Sequence, residues 1–452
     1  MNMKMVVAVA LYTLLQSSVL ARFLKSPYIQ SLTDSSVVIC WEQLAPTPGR
    51  IDYGLTPQLE FTKYDTSAVG LHLVHLSQLL SDTVYYYRIV TPTDTSPVCR
   101  FRTLSISRHA LRLLVYGDSR TDSTAHQAVV NRMLTLNPLP AILVSTGDLT
   151  ENGSDSCYQI FFNITAGLLC QTCLFPVLGN HDIRNIDNYF RFFVLLGNER
   201  YYSFRYGICI FIMLDNYSEI QPGSAQYEWL IQTLQSAQHD TTVRHKFVIL
   251  HEPPYTTNQA HPGNEEVQRY LCPLFEQFQV TAIFSGHIHA YEHSLINGIH
   301  YFTTGGGGAP LHTRWYEPAP WTVYREAVYQ FMLVDVNGDT VITYGIRADG
   351  TEFDTTLIFQ PQGVNGADRE NYFRPELQVS SPGTGVIRMN LLSVTPAVIS
   401  IYDLLGRKRA EFNHPSTPSG LNTITWHAPG PGCYFLILKT PAHTRYRRLT
   451  VF

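Results

Sequence analysis

Hydrophobic and polar positions are arranged along this chain in two different ways. Over residues 23–103 the pattern is strand-like. Residues 35–41 (SSVVICW) and 83–90 (TVYYYRIV) are rich in β-branched and aromatic side chains, and turn formers such as the APTPG of 45–49 separate the runs. Short strands at this spacing predict a small β-sandwich. The polar stretch 105–109 then reads as a linker. Over residues 111–347 strands alternate with helices. Between 266 and 278, Val267, Tyr270, Leu271, Leu274, Phe275 and Phe278 share one helical face, and Tyr227, Leu230 and Leu234 align over 225–234. Such helices pack on sheets, and no other segment is long enough for an enzyme core. Residues 361–374 are polar and broken by Pro361, Gly363 and Gly366, which marks a second linker, and β patterning returns over 377–452. The arginines crowded at the end, Arg445, Arg447 and Arg448, read as a solvated face.

Five apolar runs of the middle segment end in residues that bind metals. Leu113-Leu114-Val115-Tyr116 leads into Gly117-Asp118, and 141–144 leads through Ser145 and Thr146 into Gly147-Asp148. Residues 174–178 run into Gly179-Asn180-His181-Asp182, 247–250 into His251, and 282–284 towards Gly286-His287-Ile288-His289. If each run is a buried strand, the polar residues collect at one sheet edge, where α/β proteins bind ligands. Glycine before Asp118, Asp148, Asn180 and His287 allows a sharp turn there. A single Gly-Asp or a single histidine says little, but five such endings in one segment point to a site. Mixed carboxylate, amide and imidazole ligands suit Fe, Mn or Zn, in place of a thiolate or an all-oxygen calcium site. One carboxylate can bridge two cations, and a pair about 3.5–4 Å apart clamps a phosphoryl group and activates the attacking water. Asp215 also ends an apolar run, 210–214, and reads as structural; Gly305–Gly308 lacks the Lys-Ser/Thr ending of a P-loop and reads as a loop near the site.

Length and composition narrow the class. At 452 residues two or three domains are expected, and 45% hydrophobic and 12% aromatic content suits packed cores over disorder. A net charge of -4 gives no case for nucleic acid as a bulk partner. Lys4, the apolar run 5–15 and the small-residue site Val19-Leu20-Ala21 predict a cleaved export signal over 1–21, since the run is shorter than the ~20 residues of a membrane span. Export makes the eight cysteines candidates for disulfides, and Cys170-x-x-Cys173, with no second pair at zinc-site spacing, reads as a local disulfide or buried thiols.

The five blocks, in order and spacing, resemble those of the calcineurin-like metallophosphoesterase superfamily. Within it, residues 286–294 (GHIHAYEHS) are similar to the last block of purple acid phosphatases. The front β domain, with Ser26-Pro27-Tyr28-Ile29-Gln30, resembles their fibronectin type III-like N-terminal domain. The resemblance covers residues 22–347 and implies a four-layer αββα core with two divalent or trivalent ions (Fe, Zn or Mn) between the loop ends of two sheets. It gives metal 1 Asp118, Asp148 and His289, and metal 2 the bridging Asp148 with Asn180, His251 and His287. His181 would contact phosphate and help the leaving group depart, and His261, ten residues after His251, stands where a second phosphate-side histidine is found. Two positions depart from the pattern. Arg120 stands where relatives carry His or Gly, and Glu151 where purple acid phosphatases carry a tyrosine, so metal 1 lacks both usual extra ligands. A guanidinium cannot ligate a metal, so Arg120 is expected to pair with Glu151 or to grip a phosphate oxygen.

The last segment has its own likeness. Residues 399–407 (ISIYDLLGR), 432–435 (GCYF) and 448–451 (RLTV) resemble the type IX secretion sorting domain of Bacteroidetes-type bacteria, which implies the secretion machinery as a partner. The expected organisation is a signal peptide (1–21), a fibronectin type III-like β-sandwich (22–104), a metallophosphoesterase core (111–347), a linker (348–376) and a C-terminal β-sandwich sorting domain (377–452). The expected function is that of a secreted or cell-surface phosphoesterase, acid phosphatase-like, which hydrolyses small phosphate monoesters by attack of metal-bound hydroxide, with no transmembrane segment. Two alternatives are a phosphodiesterase acting on nucleotide or lipid diesters and a non-catalytic surface-binding protein with a decayed metal site. Retention of His181 and of every metal 2 ligand argues against decay.

Overall fold

A computed structural model describes residues 23–359, 376–380, 386–392, 397–414, 422–439 and 444–451. The expected signal peptide and the polar stretch 361–374 lie outside the described residues. The chain divides into two compact units, Met1–Thr355 and Thr356–Phe452.

The first unit opens with β1 (Phe23–Gln30), β2 (Val37–Gly54), β3 (Phe61–Leu76), β4 (Val84–Val90) and β5 (Cys99–Arg102), hydrogen-bonded into one five-stranded sheet. The turn expected at 45–49 is instead the middle of β2. Its register against β3 shifts between Glu42 and Thr47 and again between Thr47 and Gly49, as it must where two prolines cannot donate to the ladder. On its other edge β2 pairs first with β1 and then, beyond the shift, with β4, which makes the five strands continuous.

β1 is also what fastens this sheet to the core. Tyr28 Oη and Gln30 Nε2 each donate to the Phe192 carbonyl at 3.0 Å, and Ser31 Oγ donates to Val194 O at 2.6 Å. Beside them Lys25, only 2% exposed, is paired with buried Glu42, and Arg191 Nη2 reaches the other oxygen of Glu42 at 2.6 Å.

The core holds two further sheets. One runs β18 (Glu352–Phe359), β17 (Thr340–Arg347), β16 (Gln330–Asn337), β6 (Ala110–Tyr116), β7 (Ile142–Ser145), β8 (Cys173–Pro176). Residues 352–359, inside the stretch expected to be linker, are thus a strand at the edge of this sheet. The other runs β15 (Thr322–Glu326), β13 (Tyr291–Ile296), β14 (Ile299–Thr304), β12 (Ala282–Ser285), β11 (His245–Ile249), β10 (Cys209–Met213), β9 (Tyr202–Tyr206). β6, β7 and β8 are parallel, as are β10, β11, β12 and β14; helical crossovers join these neighbours except β12 and β14, between which the chain runs through β13.

Those helices start where capping residues stop the chain from extending. Asp122 accepts from the Thr124 and Ala125 amides at the start of α1 (Ser123–Leu134), and Ser154 and Ser224 cap α2 (Asp155–Leu169) and α4 (Ala225–His239) in the same way, α3 (Ile186–Phe192) lying between them. The single helix expected over 266–278 is a π-helical turn, Val267–Leu271, followed by α5 (Cys272–Gln277). Pro273 has no N–H for the Arg269 carbonyl, and the Cys272 amide bonds Val267 O one residue further back than an α-helix would.

Alternation within the strands sorts the two faces of the larger sheet. Ile210, Ile212, Val248 and Ile283 pack outwards against Leu230, Leu234, Val267, Leu271 and Phe275 of the helices. The opposite residues form an aromatic row, Phe204–Phe211–Phe247–Phe284–Phe302, with neighbouring centroids 4.8–5.9 Å apart. Phe175 of β8 stacks on Phe204 at 3.8 Å and so joins the two sheets. Cys173 is a buried thiol at the start of β8 and Cys170 a half-buried thiol at the end of α2; the two are not bonded to each other. Among the described residues no helix is long and apolar enough to cross a membrane.

The second unit contains a three-stranded sheet, β19 (Glu376–Ser380), β20 (Val386–Leu392) and β23 (Asn422–His427), and a four-stranded one, β22 (Lys408–His414), β21 (Ala397–Asp403), β24 (Gly432–Lys439) and β25 (Thr444–Val451). Trp426 of the first packs among Ile399, Ile401, Tyr434, Leu436 and Leu438 of the second. The three pieces of the C-terminal motif fall on the adjacent strands β21, β24 and β25.

Removing one partner of a buried ion pair strands the other. Glu42→Ala leaves the Lys25 ammonium with Asp155, 4.0 Å away, and the Phe192 ring beneath it, and is expected to cost about 3–5 kcal/mol in a denaturant titration. An unchanged midpoint would show that this pair does not anchor the first sheet.

Candidate metal centre

Each expected ligand follows the C-terminal end of a parallel strand, and the five strands come from both core sheets. Asp118, Asp148 and Asn180 follow β6, β7 and β8, while His251 and His287 follow β11 and β12. The chain turns on the ligands themselves: Asp118 (φ 56°), Asp148 (φ 55°) and His287 (φ 66°) occupy the left-handed region that non-glycine residues avoid. Of the four preceding glycines only Gly147 has a positive φ. The others are glycine for want of room. A Cβ on Gly179 would lie 2.2 Å from Asp148 Oδ1, and one on Gly286 would lie 2.4 Å from Asp118 Oδ2.

Around Asn180 Oδ1 the donor atoms converge, with His251 Nε2 at 3.2 Å and His287 Nδ1 at 3.1 Å. His251 Nε2 is also 3.6 Å from Asp148 Oδ1. His251 Nδ1 donates to the Thr146 carbonyl at 2.7 Å, so in the neutral ring Nε2 is a bare lone pair facing the amide oxygen. Two acceptors at that separation suit a cation between them, and this half of the site fits a metal ion. In the other half, ligand atoms of Asp118, Asp148 and His289 lie within 4.8 Å of one another and form a candidate metal-binding group.

The electrostatics point the same way. Burial, and then the Asp148 charge, pushes the Asp118 carboxyl well above its ordinary range. Burial and neighbouring histidines hold His287 down at about 2, and burial with His312 holds His289 down at about 3. Neutral imidazoles beside crowded carboxylates favour a positive charge near them.

Partners behind the ligands fix their aim. Asp182, fully buried, accepts from the amides of Asp148 (2.8 Å), Gly179 (3.0 Å) and Leu149 (3.1 Å). Asn216 Oδ1 accepts from the His251 amide at 2.8 Å, and Pro310 O accepts from His289 Nδ1 at 2.8 Å. The glycine-rich loop reaches the first ligand, the Ala309 amide donating to Asp118 O at 2.8 Å. None of these roles was visible in the sequence, although Asp182 stands two residues after a ligand. Asp215 lies outside the donor set and is paired with Arg200 at 2.8 Å.

The rim holds the remaining expected residues. The His181 amide donates to Asp148 Oδ1 at 2.9 Å, its ring Nδ1 donates to the Glu151 carbonyl, and its Nε2 lies 4.0 Å from Asp148 Oδ2. Burial lowers its pKa. His261 is half-buried, with its ring centroid 4.2 Å from that of His287. His312, which the sequence did not flag, stacks on His289 at 4.0 Å and lies 5.6 Å from His261. Arg120 meets Glu151 at 2.9 Å, as one of its two expected roles requires.

Comparison with known proteins defines the class first. Residues 111–291 match the calcineurin-like phosphoesterase family, so the chain carries a calcineurin-like metallophosphoesterase domain. The more particular likeness is to purple acid phosphatases. The chain is 29% identical to the probable purple acid phosphatase 20 of Arabidopsis thaliana over 57% of its own length and 65% of that protein's. It is 27% identical to purple acid phosphatase 15 of the same plant, over 57% of this chain and 53% of that one. The chain therefore spans less than two thirds of the length of these relatives. Among solved structures, the purple acid phosphatase PPD1 of yellow lupin (Lupinus luteus) superposes with a TM-score of 0.64 at 15% identity, over 75% of each chain. PhoD superposes with a TM-score of 0.57 at 13% identity, over 77% of this chain and 94% of that one. At those identities the two share its fold.

Asp182→Ala would leave three buried amides without an acceptor. At about 1–3 kcal/mol per orphaned donor the loss is expected to be at least about 3 kcal/mol in a chemical denaturation curve, with Asp182→Asn falling in between. A change under about 1 kcal/mol would mean that Asp182 does not hold Asp148 in place.

Proposed function

We propose that this chain is a metal-dependent phosphatase acting on small phosphate monoesters. The observation that carries this reading is the convergence of Asp148, Asn180, His251 and His287 on one point, with His181 and His261 on the rim. Fe, Mn or Zn suits that mixture of ligands and, when bound, would supply positive charge to a phosphoryl group and activate water. Asp148 and Asn180 bring the acceptor oxygens, while the two histidines bring neutral nitrogen lone pairs. His181 is tied at Nδ1 to the Glu151 carbonyl, and its Nε2, 3.3 Å from Arg184 Nη2, would face the phosphate and, in the doubly protonated ring, give the proton that a departing alkoxide needs. His261, beside His287, would orient the phosphate from the opposite side.

The test is turnover by the full chain, loaded with each metal in turn, of a panel of phosphate monoesters and diesters. Monoester hydrolysis that disappears on chelation is expected. A preference for diesters would move the enzyme to the phosphodiesterase class, and no turnover of either would leave a binding protein. His181→Ala is expected to keep its metal by elemental analysis and to lose about 10²- to 10⁴-fold in kcat. Loss of metal in that variant, with activity falling only in proportion, would overturn the role given to His181.

The same reading makes the enzyme an exported one, with 1–21 as its signal, 22–104 as a fibronectin type III-like domain and 377–452 as a sorting domain for the type IX machinery. The n-region, apolar run and small-residue cleavage site support the first, and motif pieces on neighbouring strands support the last. A chain ending after Phe359 keeps every ligand and is expected to remain active while no longer reaching the cell surface. Normal surface delivery of that truncated chain would rule out a sorting role.

A further inference from the structure

Arg120 lies where one half of the donor set points. Its Nε donates to Asp148 Oδ2 at 3.1 Å, and its Nη2 reaches His289 Nε2 at 3.2 Å. Nη1 donates to Glu151 Oε2 at 2.9 Å and to Thr121 Oγ1 at 3.1 Å. Because His289 Nδ1 carries the proton given to Pro310 O, the neutral ring's Nε2 is a lone pair, and a guanidinium N–H is what fills it. Two of the three side chains that could hold an ion in this half therefore already serve a cation. The third, Asp118, takes the His287 amide on both oxygens, at 3.1 and 2.9 Å.

The guanidinium is well placed to be permanent. Its side chain is 13% exposed, an arginine stays charged at any working pH, and Glu151 anchors its outer edge. Glu151 itself is held below the usual carboxylate range: burial acts to raise it, but the Thr121 hydroxyl and the Arg120 charge outweigh that. In the other half, His251 Nε2 and Asn180 Oδ1 face each other directly, with no such cation between them among the described residues. The residues of the Asp118 half do not fit a second metal while Arg120 occupies it.

We infer that Arg120 is a built-in second cation, so that the chain binds one metal equivalent, held by Asp148, Asn180, His251 and His287. This rests on the metal-site reading above only for the Asn180 half. A fixed guanidinium supplies positive charge and directed N–H groups beside Asp148, but it has no coordination position to exchange.

The test is metal stoichiometry on the full chain, by equilibrium dialysis of metal-free protein against Mn²⁺ or Zn²⁺. Wild type is expected to hold one equivalent, with the electron paramagnetic resonance of an isolated Mn²⁺ ion. Arg120→Ala is expected to admit a second equivalent and a spin-coupled Mn²⁺ signal, while His289→Ala stays at one. Two equivalents in wild type, or one in a folded Arg120→Ala, would overturn the inference and leave the metal-site reading intact. Zero in wild type would remove both. If Arg120→Ala fails to fold, the wild-type count and its spectrum still decide.

Discussion

The interaction on which the rest depends is the set of hydrogen bonds around Asp148. Its backbone amide is held by Asp182, its Oδ1 takes the His181 amide, and its Oδ2 takes Arg120. The same Oδ1 faces His251, which comes from the other sheet. A left-handed backbone at a buried aspartate is unfavourable by itself, and it persists because three neighbours over-determine it. Both halves of the site take their geometry from this residue. If Asp182 is lost, the turn that aims the carboxylate has no reason to form.

Much of the site was legible in the sequence because each ligand ends an apolar run. A strand buried on both faces must be hydrophobic, and the residues just past its C-terminal end must be polar if a ligand binds there. That rule found Asp118, Asp148, Asn180, His251 and His287 without any knowledge of distance. It could not find His312 or Pro310, which reach His289 from a loop with no apolar run of its own. Nor could it say why the glycines are there. The sequence suggested tight turns, whereas at 179 and 286 the reason is the nearness of a carboxylate oxygen from another strand. Strand limits failed where local chemistry misleads: two prolines at 46 and 48 look like a turn, yet long pairing with β3 carries β2 through them.

Arg120 shows the limit of reading by motif. In sequence it is a missing ligand, expected to pair with Glu151 or to grip a phosphate oxygen. In three dimensions it is a donor to four acceptors, two of which belong to the centre itself. Glu151, read as the loss of a tyrosine, is what holds the guanidinium at that depth. The two departures are one compensated change: a cation placed among acceptors and an anion behind it.

The ligands come from two sheets that share no hydrogen-bonded strand, and that division has a mechanical consequence. Asp148 and Asn180 belong to one sheet, while His251 and His287 belong to the other. What joins the sheets in the interior is contact between side chains, such as Phe175 against Phe204, which permits sliding in a way that a ladder does not. An ion held across the seam would act as a rivet. The site is then a gauge of how the two sheets sit, and any substitution along the aromatic row that lets them shear would be felt first as looser grip on the ion, at a distance from the residue changed.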